Sequence, residues 1–226
     1  MFVQTIVCFA NSRKEGRRCV AGKTWLRAGH GAWVRPVSRD ASRALSPDLL
    51  AYQDGAQPSL LDIVRVPMQA RLPEGHQPEN SLVDDAYFWS KTGQLSWADI
   101  DQWVDTPQQL WALNSQSGGM LNNRVHAALA VDSSLQLVRV PTVLVKLMAA
   151  PLPGNPLRRV VVGEFVYHGV PYRLHVTDSL IEAQCRAQPG QSLQIANAVL
   201  CVSLGACFRQ HYYKLIASVL FDRRFS

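Results

Sequence analysis

"RVVVGEFVYHGVPYRLHVTDSLIEAQCRAQPG", residues 159–190, holds the order of elements on which the fold turns. Two runs rich in β-branched and aromatic residues, Arg159–Tyr167 and Pro171–Val176, flank His168-Gly169. So short a connection, with glycine in second place, reads as a tight hairpin turn between antiparallel strands. Thr177 or Asp178 then offers a side-chain oxygen to cap a helix through Gln188. Leu180, Ile181 and Cys185 fall on its apolar face, and Pro189-Gly190 ends it.

Three more runs surround this core: Val140–Met148 before it, Ala196–Leu204 and Tyr212–Leu220 after it. Five short strands with a helix between the third and fourth is the order of an OB barrel. The N-terminal part offers about four strands plus excursions, including Phe2–Phe9, Ala32–Val37 and Leu60–Val66 closed by Pro67, compatible with a second, less regular barrel. Ala41–Tyr52 reads as a short helix or irregular excursion, and Gln69–Ser96 as a long surface loop. Ser96 caps a helix whose apolar face is Trp97, Ile100, Trp103 and Val104, with Asp99 and Asp101 near its positive end. A second short helix starts at Asp105-Thr106-Pro107, runs through Leu110 and Trp111, and is closed off by Gly118-Gly119. The expected fold is mainly β with minor α: two OB-like β-barrels joined by a loop-rich, partly helical middle. The expected domains are 1–139, an N-terminal barrel with an insertion, and 140–226, a C-terminal barrel.

Composition narrows the function classes. Of 226 residues, 47% are hydrophobic and 18% charged, with no 18-residue apolar run, so a folded chain without a membrane span is expected. The N-terminus lacks the basic opening of a signal peptide, and Asn11-Ser12-Arg13 interrupts its apolar run early. Cys8, Cys19, Cys185, Cys201 and Cys207 are odd in number and form no CxxC pair, which fits reduced thiols in a cytoplasm better than disulfides or a zinc site. The net charge of +6 is uneven: residues 1–43 carry +7, residues 44–157 carry −5 and residues 158–226 carry +4. Two basic ends around an acidic middle suggest one or two positive faces.

The densest positive charge lies in the first turn. Arg13, Lys14, Arg17 and Arg18, with Arg35 and Arg39 on the next hairpin, are candidates to track a phosphate backbone. Trp25 and Trp33 flank that hairpin as candidates to stack bases, and Lys214 is a candidate basic contact from a barrel strand. Each has a plain structural reading beside it: core tryptophans, a solvated hairpin tip, an edge lysine, and an internal salt bridge from Arg35 to Asp62. His76 and Glu79, in the Pro-stiffened stretch His76–Asn80, are the nearest approach to an acid–base pair. No HExxH, GxSxG, Walker or GxGxxG motif accompanies them, and no metal or cofactor is expected.

"CFANSRKEGRRCVAGK" (8–23), "WVRPVS" (33–38), "LLDIVRVPM" (60–68), "HQPEN" (76–80), "YRLHVTD" (172–178) and "LCVSLGACFRQHYYKLIASVL" (200–220) follow one another across nearly the whole chain. As a set they resemble the bacterial dual OB-domain-containing proteins. The resemblance implies two barrels and an accessory role in genome-defence or DNA-modification systems. The family tends to carry a glycine pair in the first turn, where this chain has Glu15-Gly16-Arg17, a stiffer and more cationic loop. The expected function is a non-enzymatic nucleic-acid-binding or accessory module, with single strands favoured and a protein partner possible. Two alternatives stand beside it. One is a protein-interaction subunit docking through the acidic, Trp-rich middle (Trp89, Trp97, Trp103, Trp111). The other is a hydrolase or nucleotide-processing enzyme centred on His76 and Glu79.

Overall fold

The computed structural model describes residues 1–26, 29–114, 119–151 and 154–222, with the backbone alone at 29 and 30. The chain divides into two compact units, Met1–Val104 with Asp132–Ser134, and Asp105–Val131 with Leu135–Ser226. Each closes a five-stranded β-barrel.

In the first unit the strands are β1 (Phe2–Lys14), β2 (Arg17–Leu26), β3 (Gly29–Val37), β4 (Asp62–Arg71) and β5 (Asn80–Val83), with β6 (Ser90–Gln94) added on the outside of β4. β1 pairs with β2, β2 with β3, β4 with β5 and β4 with β1, all antiparallel, and a short parallel pairing of β3 with β5 completes the circle. Period-two alternation sets the inside: Ile6 lies opposite Val64 and Gln4 opposite Val66, while their neighbours Thr5 and Arg65 face outward. A register shift between Cys8 and Ala10 bends β1, and Ile6–Ala10 are buried without a break. Gly22 is required where β2 crosses β1, because a Cβ there would lie 2.1 Å from the Val7 carbonyl oxygen.

Several expectations for this half need correction. Residues 69–96 are not one long loop. β4 passes through Pro67, whose carbonyl still accepts from the Asp84 N–H, and β5 and β6 follow. β5 is buried at all four positions and so shows no alternation, while β6 is a polar edge. Residues 41–52, by contrast, are the expected short helix or irregular excursion, with one 3-10 turn, Asp48–Leu50. The element after Ser96 is a 3-10 helix, Trp97–Trp103; Ser96 accepts from the Ala98 N–H, and Ile100 and Trp103 are its buried residues.

In the second unit β8 (Leu135–Ala149), β9 (Arg159–Tyr167), β10 (Val170–Val176), α1 (Ser179–Ala187), β11 (Ser192–Phe208) and β12 (His211–Leu220) form the other barrel, with β7 (Arg124–His126) along β12. β8, β9 and β10 form an antiparallel meander; β11 pairs with β8 and β12, and β10 meets β12 in parallel at His175 with Leu215 and Val176 with Ile216. This is the expected OB order, helix included. His168 and Gly169 both take positive φ (47° and 78°), the geometry of a two-residue hairpin turn. Val143, Val145, Phe165, Leu174, Ile181 and Ile216 belong to the core. Of the expected helix face, Ile181 and Cys185 pack inward, but Leu180 points to solvent.

No helix forms over 106–111. Backbone there bonds to the barrel instead: Asp105 N–H donates to the Leu137 carbonyl, Leu110 N–H to the Tyr172 hydroxyl, and the Tyr167 hydroxyl to the Pro107 carbonyl. Gly118 lies outside the described residues. Among the described residues no helix is long and apolar enough to cross a membrane.

Asp178 ties three elements together. One carboxylate oxygen accepts from the Leu180 and Ile181 N–H groups at the start of α1, and the other accepts from the Val219 N–H of β12 at 3.0 Å. Asp178→Ala removes a cap and leaves a buried donor unpaired, so a loss of about 2 kcal/mol in urea denaturation is expected. A change within about 0.5 kcal/mol, as at ordinary surface positions, contradicts this role.

Candidate nucleic-acid interface

The β1–β2 hairpin turns through Glu15 and Gly16, both at positive φ (50° and 78°). That turn fixes the register, setting Lys14 opposite Arg17 and Arg13 opposite Arg18. Like charges directly opposite oppose folding, and the next loop offsets part of them. Arg17 ion-pairs with Asp40, Lys14 donates to the Ser42 carbonyl at 2.6 Å, and Arg43 pairs with Glu74 at 2.8 Å. Arg39 donates to Gln69 and through its carbonyl accepts from Arg43. Six cations thus gather with three acids, Glu15, Asp40 and Glu74. The expected residues Arg13, Lys14, Arg17, Arg18 and Arg39 do come together here.

Arg35 and the tryptophans do not join them. Arg35 is buried, 3.2 Å from a Glu79 carboxylate oxygen and 2.6 Å from the Ser134 hydroxyl. The Ser134 hydroxyl and N–H both donate to Glu79. The internal salt bridge therefore runs from Arg35 to Glu79, not to Asp62. Asp62 instead takes Lys91 at 2.6 Å, the Tyr52 hydroxyl and the Ser59 N–H. Burial and the Asp62 charge together push the Tyr52 phenol upward, so it stays a neutral donor. With 4% exposure and three donors on it, Glu79 clasps Arg35 and Ser134 together.

Trp33 is buried on the outer face of β2 and β3, where Lys23 stands opposite it. The Lys23 ammonium lies 5.3 Å from the Trp33 ring centre and donates to the Trp103 carbonyl at 2.5 Å. Trp103 stacks on Trp25 (5.6 Å, 17°) and leans on Phe9 (5.4 Å). The surface expected to stack bases is thus covered by the chain's own 3-10 helix, and only Trp25, 41% exposed, reaches solvent. In the Trp-rich middle Trp89 and Trp103 are buried and Trp97 and Trp111 half-buried, while the neighbouring Tyr87 and Phe88 are exposed.

On the second barrel the matching face is partly covered, with Met120 packed on Val160 and Val162, and partly open. A groove of about 650 Å³ lies on β8, β9 and β10, with Leu144, Val166 and Pro171 among its apolar lining and Arg139, Glu164 and Arg173 among its polar lining. Arg173 donates to Glu164 at 2.6 Å from the neighbouring strand, and Lys146 approaches the same carboxylate at 3.0 Å. Burial raises the Glu164 carboxyl, and the hydrogen bonds from Lys146 and Arg173 outweigh it, holding it below the usual range. Arg139 donates to the Asn197 carbonyl at 3.3 Å. Three cations face one acid. Sequence reading missed them because they lie on three strands, and only the register shows that they share a side.

Lys214 is the opposite case. It does not point to solvent: it is 1% exposed, donates to the Ala112 and Asn122 carbonyls, and sits 5.4 Å from the Tyr172 ring. Burial lowers it to about 7. A neutral amine keeps two N–H groups, so both carbonyl bonds survive deprotonation. No disulfide joins any of the five cysteines, and burial pushes the Cys19 and Cys185 thiols up, away from nucleophilic character. Among the described residues no three His, Cys, Asp or Glu side chains converge on a metal-sized site.

A family model described as a dual OB-containing domain matches residues 4–219. No curated protein and no solved structure matches the chain.

Two substitutions separate structural from functional roles. Glu79→Ala strands the buried Arg35 charge and is expected to cost about 3–5 kcal/mol in urea denaturation. A variant of unchanged stability would restore Glu79 as a free carboxylate. For Lys214, the unfolded chain holds a proton up to about pH 10.4, which the fold releases near 7. Its contribution to stability therefore rises with pH across that window, and the full burial penalty applies below it. Lys214→Met should erase the difference in wild-type stability between pH 6.5 and pH 9 that Lys214 contributes; an undiminished rise would place its origin elsewhere.

Proposed function

The chain belongs to the dual OB-containing domain family, and from that premise we propose that it is a non-enzymatic module that captures single-stranded nucleic acid. The reading rests on one observation: the β8–β9–β10 face of the second barrel keeps an open groove beside the part that Met120 covers, while its counterpart in the first barrel is occupied by Trp103. The strand 2–3 face is where OB barrels take up oligonucleotides. A groove with apolar walls beside Arg139, Lys146 and Arg173 suits a single strand, whose bases need apolar surface and whose phosphates need cations. The cationic β1–β2 hairpin is a second, independent set of phosphate contacts. In this reading the chain is an accessory component of a larger nucleic-acid-processing system, such as one for genome defence or DNA modification, and its five unbridged cysteines suit a reducing cytoplasm.

Titration against single- and double-stranded oligonucleotides at two salt concentrations tests this. Val166 is half exposed in the middle of the groove, so Val166→Glu sets a carboxylate against the phosphates without entering the core. It should weaken single-strand binding by about tenfold or more. Arg13→Gln with Arg17→Gln should flatten the log–log salt dependence by about 1.4, at about 0.7 per lost phosphate contact. Wild-type protein that binds neither nucleic acid at low salt would overturn the proposal, and unchanged binding by Val166→Glu would move the strand off the groove.

A further inference from the structure

Between β5 and β6 the first unit makes a turn that holds two aromatic rings in solvent. Both ends of the turn are tied down. Asp84 donates its N–H to the Pro67 carbonyl of β4 at 3.0 Å, and Trp89 donates its N–H to the Ala51 carbonyl at 3.2 Å. Within the turn the Asp84 carboxylate accepts from the Ala86 N–H, and the Asp84 carbonyl accepts from the Tyr87 N–H. Trp89 is buried where the turn rejoins the barrel, whereas Tyr87 is 55% and Phe88 62% exposed. Rings so placed add nothing to the core. Side by side on a pinned turn, they form the kind of apolar patch that marks a contact.

The surroundings of the two rings are acidic. Neither 44–64 nor 72–90 contains a Lys or Arg. Asp84 and Asp85 precede the rings in the turn, and Asp48 and Asp54 flank Ala51–Tyr52, the segment that bridges to Trp89. Asp48, Asp54 and Asp85 are exposed. Of the cations on the adjoining strands, Lys91 is spent on Asp62, and Arg65 stands opposite Ser90 at the margin. Carboxylates in this arrangement repel a phosphate backbone. They oppose a second copy as well, since a two-fold contact sets the same patch, and so the same acids, against itself. An arginine side chain meets both features at once. Its planar guanidinium stacks on an aromatic face, and its fork of donors fits a carboxylate.

We propose that Tyr87 and Phe88, with Asp85 beside them, are a docking site for an arginine-bearing segment of a partner protein. The site stands independently of the nucleic-acid reading and carries the opposite charge preference.

A fluorescently labelled peptide of alternating arginine and glycine, titrated against the full chain, tests it, with a lysine–glycine peptide and oligothymidylate in parallel. Wild type should bind the arginine peptide more tightly than the lysine one. Tyr87→Ala with Phe88→Ala should weaken the arginine peptide about 5- to 30-fold, the loss of two exposed cation–π contacts, and leave oligothymidylate binding unchanged. Tyr87→Phe with Phe88→Tyr keeps both rings and should bind as wild type does. All these side chains are exposed, so every variant should keep the wild-type urea midpoint. Asp85→Asn should weaken the arginine peptide and flatten its salt dependence. No binding of the arginine peptide by wild type, equal binding by the double alanine variant, or equal affinity for the two peptides overturns the proposal. A wild-type dimer that the double alanine variant separates also overturns it, making this face a contact between copies. Loss of oligothymidylate affinity in that variant does the same, making the face a nucleic-acid contact. Wild type that binds the arginine peptide but no oligonucleotide leaves the docking site standing and removes only the nucleic-acid reading.

Discussion

Barrel closure in both units depends on one short parallel pairing in a sheet that is otherwise antiparallel. β3 with β5 spans Arg35 to Val37 against Asn80 to Leu82, and β10 with β12 spans only His175 and Val176 against Leu215 and Ile216. A parallel neighbour cannot be reached by a hairpin, so the chain must cross the end of the barrel between the third and fourth strands. What fills that crossover distinguishes the halves. The second barrel uses α1, fastened at its first turn by Asp178 to β12. The first uses residues 38–61, irregular apart from one 3-10 turn, and its loop carries the Asp40 that answers Arg17.

The same division runs through the buried cations. Lys23 and Lys214 each spend their ammonium on main-chain carbonyls of segments that lie over their own barrel. Arg35 is spent on Glu79 and Ser134. Burying a charge is tolerable only with such partners, so these three residues hold covering segments in place and are lost to any phosphate. The cations of the β1–β2 tip and of the outer side of β8–β10 are paired too, but at the surface: Arg17 with Asp40, and Lys146 and Arg173 with Glu164.

This explains what the sequence made legible. The second barrel could be read strand by strand because its runs are rich in β-branched residues and bounded by turn signals, and its helix announces its own cap. In the first, β1, β3 and β4 were legible as apolar runs, but β5, four buried residues with no polar partner in the pattern, and β6, a polar edge, were not. The helix expected at 106–111 failed for a tertiary reason: Tyr167 and Tyr172 take the hydrogen bonds that a helix would have kept for itself. For the candidate site, the β1–β2 tip was readable because its charges are contiguous. Lys146, Glu164 and Arg173 were not, since their common side follows from register across three strands. Trp33 and Lys214 were misplaced because alternation tells which side a residue takes, not whether a later segment covers that side.

The stack of Trp103 on Trp25 also has an optical meaning. Five of the six tryptophans (Trp25, Trp33, Trp89, Trp97, Trp103) lie in the first unit, and the second holds Trp111 alone. Emission and near-ultraviolet dichroism of the whole protein therefore report chiefly on the first barrel, with the stacked pair as its most conformation-sensitive chromophore. A melt followed by that light describes one unit, and a far-ultraviolet melt describes both. If the two curves separate, the units unfold independently and no single midpoint characterises the chain.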